Sequence, residues 1–156
     1  MNNKELLQQW CTRARLNQHA HFECYKNINF WNKFLSTTIL VLNTALGSSA
    51  LFLLSFENNT DLSGLVLSMG IIGILIAVFS ILHTFFKLGE VAEKHRTSGV
   101  RYGQVRREIE ALLCNDDVRE LSHVKEKLDF LSTESPVVST ILFNKTKKKL
   151  SCNTNT

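Results

Sequence analysis

The side chains able to do chemistry are few. The chain has five histidines and four cysteines among its 156 residues. His19, His21 and Cys24 have the composition of a metal-ligand group. On a helix, however, residues two apart project in nearly opposite directions, so His19 faces away from His21 and Cys24 and no shared tetrahedral site is predicted. Glu93 and His95 diverge for the same reason. His21 and His95 are a different case, because both fall on apolar helix seams that would face each other. As a coupled pair they would form a pH-sensitive joint; as ordinary seam residues they would simply be hydrogen-bonded. There is no glycine-rich phosphate loop, no nucleophile elbow and no CxxC. The basic residues lack an aromatic platform on which bases would stack. These absences predict a protein that is not an enzyme, with no cofactor, no metal and no nucleic-acid partner.

The remaining polar groups of interest are uncharged and lie inside apolar sequence. Overall hydrophobic content is 44% and mean hydropathy is close to zero, the averages of a soluble domain. The average conceals two materials. Residues 34–56 form a 23-residue run without a charge, and residues 62–86 a 25-residue run whose only ionisable group is His83. About 20 apolar residues cross the hydrocarbon of a bilayer as a helix. Two such helices buried in a soluble protein would need more apolar surface around them than the rest of the chain offers. The predicted fold is therefore an all-α membrane protein: a two-span helical hairpin, extended by long N- and C-terminal helices, with a short amphipathic helix towards the C-terminus.

Charge placement orients that hairpin. Residues 1–33 carry Lys4, Arg13, Arg15, Lys26 and Lys33 against Glu5 and Glu23. Residues 87–156 carry 13 basic against 10 acidic residues, and the apolar middle has only Glu57 and Asp61. The net +4 is thus two basic flanks around an acidic centre. With Lys33 before the first span, Lys87 after the second and no Lys or Arg at 57–61, the positive-inside rule places both termini in the cytoplasm and the loop outside. The expected organisation is a cytoplasmic helix at 1–33, spans at 34–56 and 62–86, an external loop at 57–61, cytoplasmic helices at 87–132, and an apolar segment with a basic tail at 133–156. A cleaved signal peptide is not expected, since the first apolar run starts too far in and is too long. Cys11, Cys24, Cys114 and Cys152 lie outside the spans on the cytosolic side, where thiols stay reduced.

Neither span is uniform. In the second, Ser63, Gly70, Gly73, Ala77, Ser80 and Thr84 are small, and the spacing from Gly70 to Thr84 makes a stripe that permits close helix approach. In the first, Gly47 to Ala50 form a small patch, and Thr37, Thr44, Ser48 and Ser55 share a face. Asn43 is the costliest group, since an amide in lipid needs a partner. Two readings follow: helix packing by Gly47, Gly70, Gly73, Ala77 and Ser80, and a pore lined in an oligomer by Thr37, Asn43, Thr44 and Ser48. His83 should fall level with Thr37 and snorkel or hydrogen-bond there.

The flanking helices carry seams. Leu7, Trp10, Ala14, Asn17, His21, Cys24, Ile28, Trp31 and Leu35 step by three and four, as do Leu88, Val91, His95, Ser98, Tyr102, Val105, Ile109 and Leu112. A hairpin brings the two extensions together, so each covers the other's seam, with Trp10, His21, His95, Tyr102 and Ile109 at its centre. Val118, Leu121, Val124, Leu128 and Leu131 make 117–132 a short amphipathic helix, which Ser132 to Pro136 breaks. Val137 to Phe143 fits a docked helix or an extended piece equally. Lys145, Lys147, Lys148 and Lys149 form a basic tail suited to anionic lipid or simply to solvent.

Helix, two-span hairpin, very short loop and then a long charged helix reading GEVAEKHRTSGVRYGQVRREIEALL at 89–113 is a pattern that resembles the SLATT domain family. Ala92 to His95 and Tyr102 to Ile109 carry most of the likeness, with Trp10, Arg13, His21 and Tyr25 upstream, over residues 5–130. The resemblance implies a two-transmembrane effector of bacterial nucleotide-signalled conflict systems. Such an effector would oligomerise in the inner membrane and permeabilise it during antiviral abortive infection. The expected partners are the lipid bilayer, further copies of the chain, and a separate nucleotide-signalling, sensor or reverse-transcriptase protein. At 156 residues the chain has little room for a sensing domain of its own, so the signal is expected from that partner. The alternative is a membrane-anchored scaffold whose cytoplasmic helices recruit a signalling protein without forming a pore.

Overall fold

The computed structural model describes residues 3–54, 63–115 and 121–153. Helix accounts for nearly all of them, and among the described residues there is no strand. Five helices follow in order: α1 (Asn3–Leu54), α2 (Ser63–Phe86), α3 (Leu88–Asn115), α4 (Leu121–Glu134) and α5 (Thr140–Asn153). The expected external loop at 57–61 lies outside the described residues, as does Val118.

Local sequence accounts for the boundaries. Neither Pro nor Gly interrupts the chain before Gly47, so nothing stops α1 over its first twelve turns. The α2–α3 junction is a single residue, Lys87, whose φ of 44° lies in the left-handed region. A non-glycine residue there costs about 1–2 kcal/mol, and it ends one helix before the next begins. Helix α4 stops ahead of Pro136, which disfavours helical geometry at Ser135. The Ser135 amide donates to the Leu131 carbonyl at 3.0 Å and closes the last turn. The Phe143 amide donates to the Ser139 carbonyl at 2.9 Å and opens α5. The basic stretch from Lys145 to Lys149 is therefore helical, and the 137–143 segment divides between an extended lead and the first turn of α5.

The chain forms two compact units. The first comprises Met1–Ile28 and Glu90–Thr156, the second Asn29–Gly89. In the first unit, Leu7 and Ala14 of α1, Tyr102, Val105, Ile109 and Leu112 of α3, and Val124, Leu128 and Leu131 of α4 make one apolar core, with Trp10, Cys11, Leu113 and Leu121 packed against it. Each large side chain buried there contributes about 1.5–3 kcal/mol. The predicted seams are thus largely the observed ones, with two shifts. Trp31 is exposed, and on α3 Ala92 is buried while Val91 is not. Helix α4 fills the side of the seam that α1 leaves open. Helix α5 lies beside α1, where Lys149 Nζ stands 3.7 Å from Glu23 Oε1.

Ion pairs between α3 and α4 contribute less. Arg101–Glu134 and Lys127–Glu108 both close at 2.7 Å, but their side chains are 37–51% exposed. Screened pairs of this kind are worth about 0.2–1 kcal/mol. The Glu134→Gln variant should therefore lose no more than about 1 kcal/mol of stability, read from thermal melts of the full chain in detergent. A larger loss would mean that the pair, and not the apolar core, holds α4 in place.

The second unit is built differently. Among its described residues only Ile76 is buried, and large apolar side chains from Leu40 to Leu51 and from Val66 to Phe86 are exposed. Two helices are long and apolar enough to cross a membrane, and their most apolar stretches are 0% and 6% buried. That argues against their being core helices of a soluble protein, in which such stretches would be covered.

Candidate functional site

Two groups of residues have a geometry that bears on function, one in each unit.

In the second unit, α1 and α2 meet in antiparallel order. Leu46 Cδ1 would lie 4.0 Å from a Cβ added at Gly73. Ser36 Oγ is 3.3 Å from His83 Nε2. Since Ser36 donates its proton to the Asn32 carbonyl at 2.8 Å, His83 Nε2–H is the donor in that pair. The register thus puts His83 opposite Ser36, beside the expected Thr37. From Asn32 onward the half-buried residues of α1 are Asn32, Leu35, Ile39, Leu46 and Ser49; on α2 they are Met69, Gly73, Ser80 and His83 around buried Ile76. Of the small residues expected to pack, Gly73 and Ser80 turn towards α1. A Cβ at Gly47 or Gly70 would meet nothing within 4 Å, and Ala77 is exposed.

Thr37, Asn43, Thr44 and Ser48 are all exposed. At about 100° per residue, Thr37, Thr44 and Ser48 fall within about 40° of one another, on the side of α1 opposite its contact with α2. Asn43 lies about 100–140° round from them, on the flank between that line and the contact. Two of these hydroxyls are satisfied within the helix: Thr44 Oγ1 donates to the Leu40 carbonyl at 2.9 Å and Ser48 Oγ to the Ala45 carbonyl at 3.0 Å. A hydroxyl bonded in this way tolerates lipid, yet keeps acceptor lone pairs for water or an ion.

In the first unit, the facing seams bring His21 and His95 together. Both are buried, at 3% and 4% exposure, and their Nδ1 atoms are 3.0 Å apart. One ring must donate and the other accept, so the pair holds opposite tautomers while both are neutral. The His21 ring also stacks on Tyr102, with centroids 5.5 Å apart and planes 18° from parallel. Burial lowers the His21 pKa to about 4, with a smaller contribution from the charge of His95. Burial lowers His95 as well. The Tyr102 hydroxyl is pushed up by burial, opposed by a side-chain hydrogen bond with Ser135 and by the charge of Arg13. One turn from His21, burial raises the Cys24 thiol, opposed by a backbone hydrogen bond from Ser139. Further along the same seam Ile109 lies in the apolar core and half-buried Trp10 packs against it.

The described residues contain no group of three or more His, Cys, Asp or Glu placed to hold a metal. His19 is exposed while His21 and Cys24 are buried, as helical spacing requires. Cys11, Cys24 and Cys114 carry no disulfide.

Sequence reasoning missed the device that brings the histidines so close. Gly99 and Gly103, four apart on α3, face Gln18 of α1. A Cβ at Gly103 would lie 2.7 Å from Gln18 Nε2, and one at Gly99 would lie 3.4 Å from the Gln18 carbonyl and the Phe22 ring. The two glycines let the helices cross at short range, and Gln18 Oε1 is buried there without a hydrogen-bond partner among the described residues. The signal is the same small-xxx-small spacing that the second apolar span carries. Comparison with family models, curated proteins and solved structures finds no match for this chain.

Proposed function

We propose that the protein is a bacterial membrane effector of the SLATT type, which oligomerises and permeabilises the inner membrane when a separate signalling partner activates it in antiviral defence. In this reading α2 and the apolar part of α1 form a transmembrane hairpin with both termini in the cytoplasm, and the reaction is conduction, with no catalytic step. The observation that carries the proposal is the line of Thr37, Thr44 and Ser48 on the face of α1 turned away from α2. One hairpin cannot enclose a channel, so a pore needs several copies. The polar face available to line it is the one not used within the hairpin. Because Thr44 and Ser48 are already bonded to their own backbone, they can face lipid at rest and water after assembly without an unpaired donor in either state.

A second reading, the non-pore scaffold, is favoured by Val137 and Ile141, which are 94% and 81% exposed on the first unit. Such residues suit the recruitment of a protein partner. Expression in bacteria with and without phage challenge separates the two. An effector collapses membrane potential and admits a membrane-impermeant dye after the trigger; a scaffold leaves both unchanged.

A further inference from the structure

We infer that Phe30, Trp31, Phe34, Phe85 and Phe86 form an interfacial belt that seats one end of the second unit in the headgroup layer of a phospholipid bilayer. The inference rests on the membrane reading above and adds to it a fixed depth and a fixed end. All five rings are 51–78% exposed. They are clustered: Phe30 and Phe34 stack at 6.3 Å, Trp31 stands edge-on to both at 5.9 and 6.0 Å, and Phe85 and Phe86 meet edge-on at 5.9 Å. Rings that pack on one another while remaining open outward have no protein core to enter.

Their placement matches the layered structure of a bilayer. From Phe30 to Phe34 is about one turn, or about 6 Å of axial rise. The interfacial layer on each side of the hydrocarbon is about 5–7 Å thick. Helix α2 has 24 residues, about 36 Å, which exceeds the roughly 30 Å of hydrocarbon. A helix of that length standing near the membrane normal reaches into a headgroup layer, and Phe85–Phe86 sit at that helix's end. The charge also fits. Lys33 lies within the α1 cluster and Lys87 directly follows the α2 pair, and both are exposed. Their ammonium groups complement lipid phosphates, while the indole of Trp31 presents an apolar body and a polar N–H suited to the same layer.

Depth-dependent fluorescence quenching tests this on the full chain. The protein is reconstituted into phosphatidylcholine vesicles brominated either near the headgroup or near the acyl-chain ends. The chain has two tryptophans, so Trp31→Phe supplies the Trp10 signal to subtract, and no core residue needs to change. The expected result is a greater loss of Trp31 emission with the shallow label than with the deep one. Stronger quenching by the deep label, or none from either label in a chain that floats with the vesicles, overturns the belt and leaves the membrane reading standing. A chain that does not float overturns both.

Discussion

Lowering the pH from neutrality to about 4 is expected to destabilise the first unit by about 3 kcal/mol through His21. The sign follows from which state binds the proton. His21 titrates near 6.5 when unfolded and near 4 when folded. Between those values the unfolded chain takes up a proton that the folded one refuses, so stability is intact above about 6.5 and falls as pH drops through that window. His95 shifts in the same direction. The geometry explains why relief is not available. With Nδ1 atoms 3.0 Å apart, a first added proton can go to the free Nε2 of the donor ring and leave the bond between the rings intact, but a second sets two donors and two like charges against each other. Tyr102 stacks on the His21 face, and Cys24 lies one turn along α1. Neither carries a negative charge to compensate, because burial raises the pKa of both. His19 is also lowered, chiefly by burial and then by the charges of Arg15 and Arg106, but it is exposed and adds little. Thermal melts of the full chain in detergent across this pH range should show the loss, and a His21→Gln/His95→Gln double variant should flatten it. A wild-type curve with no slope in the window, or a double variant with the same slope, would remove the histidine pair as its cause.

What the sequence made legible was periodicity. Two long apolar runs predict two helices wherever they end up, and α2 ends at Phe86 as the charge at Lys87 predicted. The three-four seam includes Ala14, His21, Tyr102 and Ile109, which are buried, and His21 meets His95 and Tyr102. Where seam reading failed, a contact outside the two-helix picture decided the outcome. Trp31 continues the seam arithmetically, yet it belongs to the second unit and points outward. On α3, Ala92 is buried in place of its neighbour Val91, while the seam residues from His95 onward keep their places. Neither Gly99–Gly103 under Gln18 nor the docking of α5 could be weighed from one strand of sequence, since each depends on the partner surface. The lysines from 145 to 149 look like a tail by composition, but Leu142, Phe143, Thr146 and Leu150 recur at helical spacing beneath them. Those four are the residues of α5 that are buried or half-buried. The candidate channel face was half legible: exposure groups four polar residues, but the helix wheel separates Asn43 from the other three.

That separation makes the largest functional prediction a comparison. Replacing Thr37 and Thr44 by Val and Ser48 by Ala preserves side-chain volume closely and removes these three hydroxyls from the outward line. None of the three touches α2, so insertion and hairpin packing should be unaffected, and loss of an exposed hydroxyl in lipid is not destabilising. If these hydroxyls solvate ions in the assembled pore, their removal leaves an apolar constriction of the kind that dewets. A barrier raised by about 1.4 kcal/mol slows passage about tenfold, and three lost dipoles per copy should exceed that. Ion leakage after activation is therefore expected to fall by about tenfold or more, while the protein still fractionates with membranes. Asn43→Leu should lower leakage less. Its amide lies at the edge of an arc of about 140° that spans all four residues, so it reaches the lumen only at the margin between neighbouring copies. Dye-release rates from vesicles containing each variant decide among the arrangements. Full leakage from both would remove α1 from the pore wall. Loss confined to Asn43→Leu would turn the α1 wall towards its α2-side flank and leave the hydroxyl line in lipid.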